Sequence, residues 1–194
     1  MVFTSSAAVY GDNRDIPLCE DATLRPLCAY GADKFGCELH SFVASHVHRI
    51  PTCGLRLFNV YGPRQNPNSP YSGVISIFCD RLKAHRQITV YGDGHQRRDF
   101  VYVADVVRAL QSAMDNCSVA CEILNVCTGT ATTIKELATL IGDILGITPD
   151  ITFGPARNGE VRTSVGDPSR AHRVLSFMAS TELMGGLRST LNEI

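Results

Sequence analysis

No surplus of either charge marks this chain. Its 18 lysines and arginines face 19 aspartates and glutamates, so composition points to neither a nucleic acid nor an anionic membrane surface, and arginine-rich spots must be argued locally. No apolar run reaches the roughly 18 residues of a membrane span. The N-terminus shows neither a basic leader nor a small-residue cleavage site, and a cytoplasmic protein is expected. The eight cysteines contain no Cys-x-x-Cys pair. Several sit in apolar strings such as Ile77-Phe78-Cys79 and Val126-Cys127, where a reduced thiol behaves as a small hydrophobe. Among the six histidines only His46 and His48 stand close together, without a ligand pattern, and no metal site is expected. There is no internal repeat or low-complexity stretch, and 194 residues suffice to bury a sizeable core in one or two domains.

What is present alternates between strand-like and helix-like strings, the pattern of an α/β domain with a largely parallel sheet. Met1-Val2-Phe3 leading into Thr4-Ser5-Ser6 reads as a buried strand whose end presents hydroxyls. Residues 30–48 read as a helix and 54–60 as a strand running into Tyr61-Gly62-Pro63-Arg64. The stretch 65–71, with Asn66, Pro67 and Asn68, reads as a surface loop. Helical spacing returns over 73–84 and 103–114, and between them a short strand at 88–91 ends in the turn Gly92-Asp93-Gly94. A buried strand is predicted over 122–127 and a helix over 133–145, with Thr132 or Thr133 as its N-cap. Asp167 before Pro168 reads as a further N-cap with proline at the first helical position.

Tyr30 and Lys34 stand four residues apart, on one face if their segment is helical. A phenol of pKa about 10 is a poor base at neutral pH, and an ammonium beside it favours the ionised form. The same spacing also suits an exposed Tyr and Lys on an amphipathic helix. Context favours chemistry, because Ser6 closes a strand and open α/β sheets bind ligands outside the carboxyl ends of their strands. Asn59, at the end of the next strand, can offer its NH2 to a phosphate oxygen and its carbonyl to nearby backbone, or serve as a local cap. Arg97 and Arg98 read either as solvated charge or as forked phosphate donors.

The strings Thr4-Ser5-Ser6-Ala7-Ala8-Val9-Tyr10-Gly11 and Ala29-Tyr30-Gly31-Ala32-Asp33-Lys34 resemble the Ser and Tyr-x-x-x-Lys elements of the extended short-chain dehydrogenase/reductase family, in particular its NAD-dependent nucleotide-sugar epimerases acting on UDP-hexoses. The resemblance implies a Rossmann-like parallel-sheet domain, here residues 1–62 and 99–128, and a small α/β substrate-binding part, residues 63–98 and 129–194. It implies NAD as cofactor and a UDP-sugar as substrate. Ser6, Tyr30 and Lys34 would be catalytic and, with Phe58, would contact NAD; Ser6 and Tyr30 would also touch the sugar. Asn59, Arg98 and Arg157 would hold the diphosphate, Arg98 being chosen over Arg97 because it directly precedes Asp99-Phe100. Thr89 and Tyr91 would lie beside the base, with Gly73 and Val74 in the same nucleotide site. In the R-x-G-[DE] element Arg157-Asn158-Gly159-Glu160, Glu160 would accept from the ribose hydroxyls. Ser164 would stand near the sugar's C2 substituent, where serine leaves room for an N-acetyl group.

By the same resemblance, NAD takes a hydride from C4 while Tyr30 takes the C4 hydroxyl proton and Ser6 hydrogen-bonds that oxygen. The 4-ketose then turns over and receives the hydride on its other face. Family members also carry a glycine-rich turn for the dinucleotide, and no Gly-x-Gly-x-x-Gly follows a strand here. The chain is therefore expected to begin inside its dinucleotide-binding domain and to hold NAD weakly by itself. Dehydration or decarboxylation of a nucleotide sugar is an alternative, although a dehydratase carries an acid where this chain has Ser6-Ala7-Ala8. A catalytically inactive nucleotide-sugar-binding fragment is another. A homodimer is implied, through the helix bearing Tyr30 together with the helix at 103–114. Phe35, Leu39, Phe42 and Val43 suit that face or an internal core equally.

Overall fold

The apolar start of the chain forms strand β1 (Val2–Ser6), which runs into a 3-10 turn over Ala7–Tyr10. This is a computed structural model, and it describes residues 1–69, 72–157 and 159–193. After an irregular stretch come helix α1 (Ala29–His48), β2 (Cys53–Leu57), β3 (Asn59–Tyr61), α2 (Val74–Lys83), β4 (Ile88–Tyr91), β5 (Arg97–Arg98) and β6 (Phe100–Tyr102). The order continues with α3 (Val103–Asn116), β7 (Glu122–Val126), β8 (Thr132–Thr133), α4 (Ile134–Leu145) and β9 (Ile151–Gly154), then β10 (Thr163–Ser164), α5 (Ser169–Leu175) and α6 (Leu183–Asn192).

The main sheet has the order β1-β2-β7, all parallel. Its middle strand is buried over Cys53-Gly54-Leu55-Arg56, as expected of a parallel strand covered on both faces. Further parallel pairs join β3 to β6 and β4 to β9, while β5 lies between β10 and β8. The α/β class with parallel sheets is as the sequence predicts.

One predicted element divides. The expected strand over 54–60 breaks at Phe58, where the backbone changes partners: Phe58 N–H still donates to Val126 O at 3.1 Å, but Asn59 N–H donates to Asp99 O at 3.0 Å. Strand β7 ends at Val126 and offers nothing further along, so β3 pairs with β6 instead. This swap turns Asn59 toward β5.

Two apolar clusters form the core. One joins the main sheet to α3 and α5 through Leu55, Val101, Ala109, Leu124 and Leu175; the other joins β4 to α2, α4 and α6 through Phe78, Ile88, Leu137 and Leu187. Helix α5, which falls in the 129–194 part of the sequence division, thus packs into the first cluster.

Helix ends follow local chemistry. Thr133, rather than Thr132, caps α4 in a reciprocal box with Glu136. Asp167 accepts Ser169 N–H at 2.9 Å at the start of α5, so the predicted capping carboxylate is used although the helix is bounded one residue later, at Pro168. In the predicted loop over 65–71, Pro70 and Tyr71 lie outside the described residues. Among the described residues no helix is long and apolar enough to cross a membrane, and no group of three His, Cys, Asp or Glu could hold a metal ion.

A buried polar network, not foreseen from the sequence, pins α1 to the sheet. Arg56 on β2 donates from Nε and Nη2 to the two Glu38 carboxylate oxygens at 2.9 and 2.8 Å, with the side chains only 4% and 5% exposed. Ser5 on β1 donates to the same carboxylate. Arg56 Nη1 reaches Tyr10 Oη and Glu20 O, both at 2.9 Å, and Tyr10 Oη donates to Asn125 Oδ1 on β7 at 2.7 Å. Burial pushes the Tyr10 phenol up to about 12 despite the guanidinium beside it, so it stays a neutral donor.

Candidate active site

Each of the three parallel strands of the main sheet delivers its carboxyl end to one side of the molecule, where a cleft opens, as the general rule for such sheets requires. Strand β1 ends in Ser6, β2 in Leu57 followed by Phe58, and β7 leads into the loop held by Asp99. A cavity of about 450 Å³ there is lined by Ser6, Ala7, Ala8, Gly11, Phe58 and Ser164, among others. A second, of about 250 Å³, is lined by Val74, Thr89, Tyr91, Gln96 and Ile134, among others. Asn59, Arg98, Arg157 and Glu160 line both. These four residues join the two spaces into one cleft.

At the first space, the Ser6 hydroxyl oxygen accepts Ala8 N–H at 3.2 Å and so starts the 3-10 turn. Its own proton stays free to donate to an oxygen in the cleft. Gly11 sits at φ 60°, and a Cβ there would come within 1.9 Å of Arg25 O, so only glycine fits at this wall. Tyr30 stands in the first turn of α1, 47% exposed. Lys34 Nζ donates to Thr4 O on β1 at 2.8 Å and lies 5.8 Å from the Tyr30 ring centre. Predicted from spacing, the shared helical face is real. Neither Tyr30 nor Lys34 lines the two cavities, however; they flank the Ser6 end.

In the second space, Arg98 and Glu160 approach to 3.6 Å. Burial holds the Arg98 guanidinium below its usual pKa, while the Glu160 carboxylate acts the other way; at neutral pH it remains a cation. Arg98 also donates to Arg97 O at 2.9 Å. Arg157 lies over the face of Tyr91, 3.9 Å from the ring centre, a cation–π contact that leaves its forked edge available. Thr89 Oγ1 is 3.4 Å from Thr152 Oγ1 across the β4–β9 pair. Gly73 caps α2 without a side chain, and its carbonyl accepts Ser76 Oγ at 2.9 Å. Val74 begins that helix at the cavity wall.

Asn59 differs from its expected bonding. Its NH2 donates to Asp99 O at 3.0 Å, so the amide nitrogen, not the carbonyl, takes the backbone contact, and one N–H remains for a ligand. Phe35 turns inward against the first apolar cluster, whereas Leu39, Phe42 and Val43 are exposed.

Two buried polar side chains near the cleft carry no marking in the sequence. Asp99 is fully buried and accepts Thr128 N–H, Thr128 Oγ1–H and Gly129 N–H at 2.7–2.9 Å; burial pushes its carboxyl up against those donors, which pull it down. Gln96, 3% exposed, donates to Tyr91 O and to Glu160 Oε2. Its polarity within an otherwise turn-like string carried no signal of burial.

Comparison with known proteins gives concordant matches. The profile described as "NAD dependent epimerase/dehydratase family" matches residues 1–127. A putative UDP-glucose 4-epimerase of Methanocaldococcus jannaschii is 35% identical over 193 residues, covering 99% of this chain and 62% of the relative. A UDP-N-acetylglucosamine 4-epimerase from Methanobrevibacter ruminantium, solved with UDP-N-acetylmuramic acid, superposes with TM-score 0.93 at 34% identity, covering 98% of this chain and 61% of its own. A UDP-glucose 4-epimerase of Thermotoga maritima, solved with UDP-glucose, gives 0.92 at 34%, covering 98% and 62%. The chain thus spans about three fifths of the length of these relatives.

Proposed function

The chain belongs to the NAD dependent epimerase/dehydratase family, and from that premise we propose that it carries the nucleotide-sugar site and the Ser–Tyr–Lys set of a UDP-hexose 4-epimerase. One observation carries the reading: a single cleft in which Arg98, Arg157 and Asn59, all suited to phosphate oxygens, stand between a space beside Ser6 and a second space walled by Thr89 and Tyr91. A UDP-sugar has the same order of parts, with sugar, diphosphate and nucleoside in line. Arg98 and Arg157 supply fixed positive charge to the diphosphate, Glu160 accepts from the ribose, and Tyr91 with Thr89 borders the base.

NAD, when bound, supplies a hydride acceptor and donor at C4. Phe58, Ser6 and the small side chains Ala7 and Ala8 suit a flat nicotinamide at this wall. Ser6 donates to the C4 oxygen, Tyr30 takes the hydroxyl proton and returns it, and Lys34, anchored on Thr4 O, holds positive charge near the phenol. The run Ser6-Ala7-Ala8 carries no acid, which favours epimerisation over elimination of water. Exposed Leu39, Phe42, Val43 and Val47 on α1, with Val103, Val107 and Met114 on α3, suit a homodimer through those helices.

The test is calorimetric titration of the 194-residue chain with UDP. Binding is expected, and Arg98→Ala weakens it about tenfold or more, because a charge-assisted contact is lost. A wild-type chain that gives no heat with UDP overturns the nucleotide reading.

Substrate choice gives another prediction. Ser164 lines the Ser6 side of the cleft on β10, paired with Arg98 on β5. Its small side chain leaves room for an acetamido group, so UDP-GlcNAc and UDP-GalNAc bind alongside UDP-glucose and UDP-galactose. Ser164→Tyr excludes the acetylated pair through steric clash and spares the plain hexoses. Dissociation constants for the four ligands before and after the substitution check this, and an unchanged ratio removes Ser164 as the gate.

A further inference from the structure

Gln96 is a buried amide whose bonding is lopsided. Its Nε2 meets two acceptors, Tyr91 O and, at 3.3 Å, Glu160 Oε2, which fixes the orientation of the amide. Its Oε1 is buried with no hydrogen-bond partner. A buried acceptor left unpaired is a cost that native proteins rarely accept without a reason. The opposite amide orientation would turn Oε1 toward the Tyr91 carbonyl and the Glu160 carboxylate, which is worse, so the side chain is held for what Nε2 does.

The surroundings show what that is. Glu160 and Arg162 are tied to the turn after β4 and to β5 at three points: Arg162 to Asp93 at 2.7 and 2.9 Å, Arg98 to Glu160 at 3.6 Å, and Gln96 to Glu160. The Asp93–Arg162 pair is solvent-exposed and contributes little. Arg98 and Gln96 thus share one carboxylate, Arg98 facing Oε1 and Gln96 bonding Oε2. At 3.6 Å the Arg98 contact is well beyond the roughly 2.7–2.9 Å of a charge-assisted hydrogen bond. Gln96 holds the other oxygen, Oε2, and Gly92 at φ 73° makes the space: a Cβ there would come within 2.7 Å of Gln96 Nε2.

We propose that Gln96 is a positioning residue for ribose recognition: it holds Glu160 off Arg98, leaving the carboxylate free for the ribose hydroxyls and the guanidinium free for the diphosphate. This rests on the nucleotide reading of the cleft. Without the amide, Glu160 closes on Arg98 and each neutralises the group the other needs, so the site loses its preference for a ribose that carries hydroxyls.

The experiment compares UDP with 2′,3′-dideoxy-UDP by calorimetry on the 194-residue chain. The wild type prefers UDP by about tenfold, the worth of hydrogen bonds to a charged group. Gln96→Met, matched in length but without the amide, brings that ratio to within about twofold of unity, as does Gln96→Asn, whose amide is withdrawn by one methylene. In the Glu160→Ala background the preference is already absent, and adding Gln96→Met does not change the ratio. A general loosening of the fold would weaken both ligands together and leave the wild-type ratio standing, which overturns the proposal. If wild-type chain binds UDP but Gln96→Met and Gln96→Asn keep the tenfold preference, this inference fails and the nucleotide reading survives. No binding of UDP by the wild type overturns both.

Discussion

Glu38→Ala lowers the free energy of unfolding by about 3–5 kcal/mol, the usual cost of removing one partner from a buried ion pair. The loss is large because of what remains. Arg56 is 4% exposed, and its Nε and Nη2 would be left without acceptors, while Ser5 loses the acceptor for its hydroxyl. A domain with a total stability of about 5–15 kcal/mol then stands close to unfolding. Removing both charges together, as in Glu38→Met with Arg56→Met, costs much less than the two single losses added, since no charge is stranded in the core. Urea denaturation of the two single variants and the double variant checks this. A single-variant loss below about 1 kcal/mol, the range of an exposed pair, would show that water reaches the site.

The pair also bears on chemistry, because Glu38 lies one helical turn beyond Lys34 and Ser5 adjoins Ser6. Strand and helix are thereby locked together at the site where a proton would move. Tyr30→Phe should lower turnover by about 10²–10⁴-fold, the range for losing a positioned acid–base group, and leave UDP-sugar affinity within about twofold. The proper protein for this measurement is a chimera supplying the part of the Thermotoga maritima relative that this chain does not cover. Steady-state kinetics gives the turnover, and calorimetry gives the affinity. Equal losses in both would move Tyr30 from proton transfer to binding.

Much of this site was legible in linear order. Local strings such as Ser6-Ala7-Ala8, Tyr30 with Lys34, and Arg98-Asp99-Phe100 carry their spacing with them, and most of the helices formed within two residues of where periodicity placed them. Helix ends were legible wherever a side chain decides them within three residues, as Thr133 and Glu136 do for α4. The break at Phe58 was not legible. An apolar run looks the same whether it keeps one neighbour or changes from β7 to β6, and only the end of β7 makes it change.

By itself, then, the sequence determined the alternation of elements, the shared face of Tyr30 and Lys34, and the set of residue types suited to phosphate, ribose and proton transfer. Tertiary structure decided which of those groups meet. Arg98 and Glu160 approach only because β5 and the chain before β10 pack together, Arg157 covers Tyr91 across the same gap, and Gln96 becomes a buried strut rather than a solvated turn residue. Arg56 and Glu38, which have no marking in the sequence, became the anchor of α1. The physical reason is one of range. Helical faces and caps depend on neighbours a few residues apart, whereas burial, ion pairing and amide orientation depend on groups that only folding brings within hydrogen-bond distance.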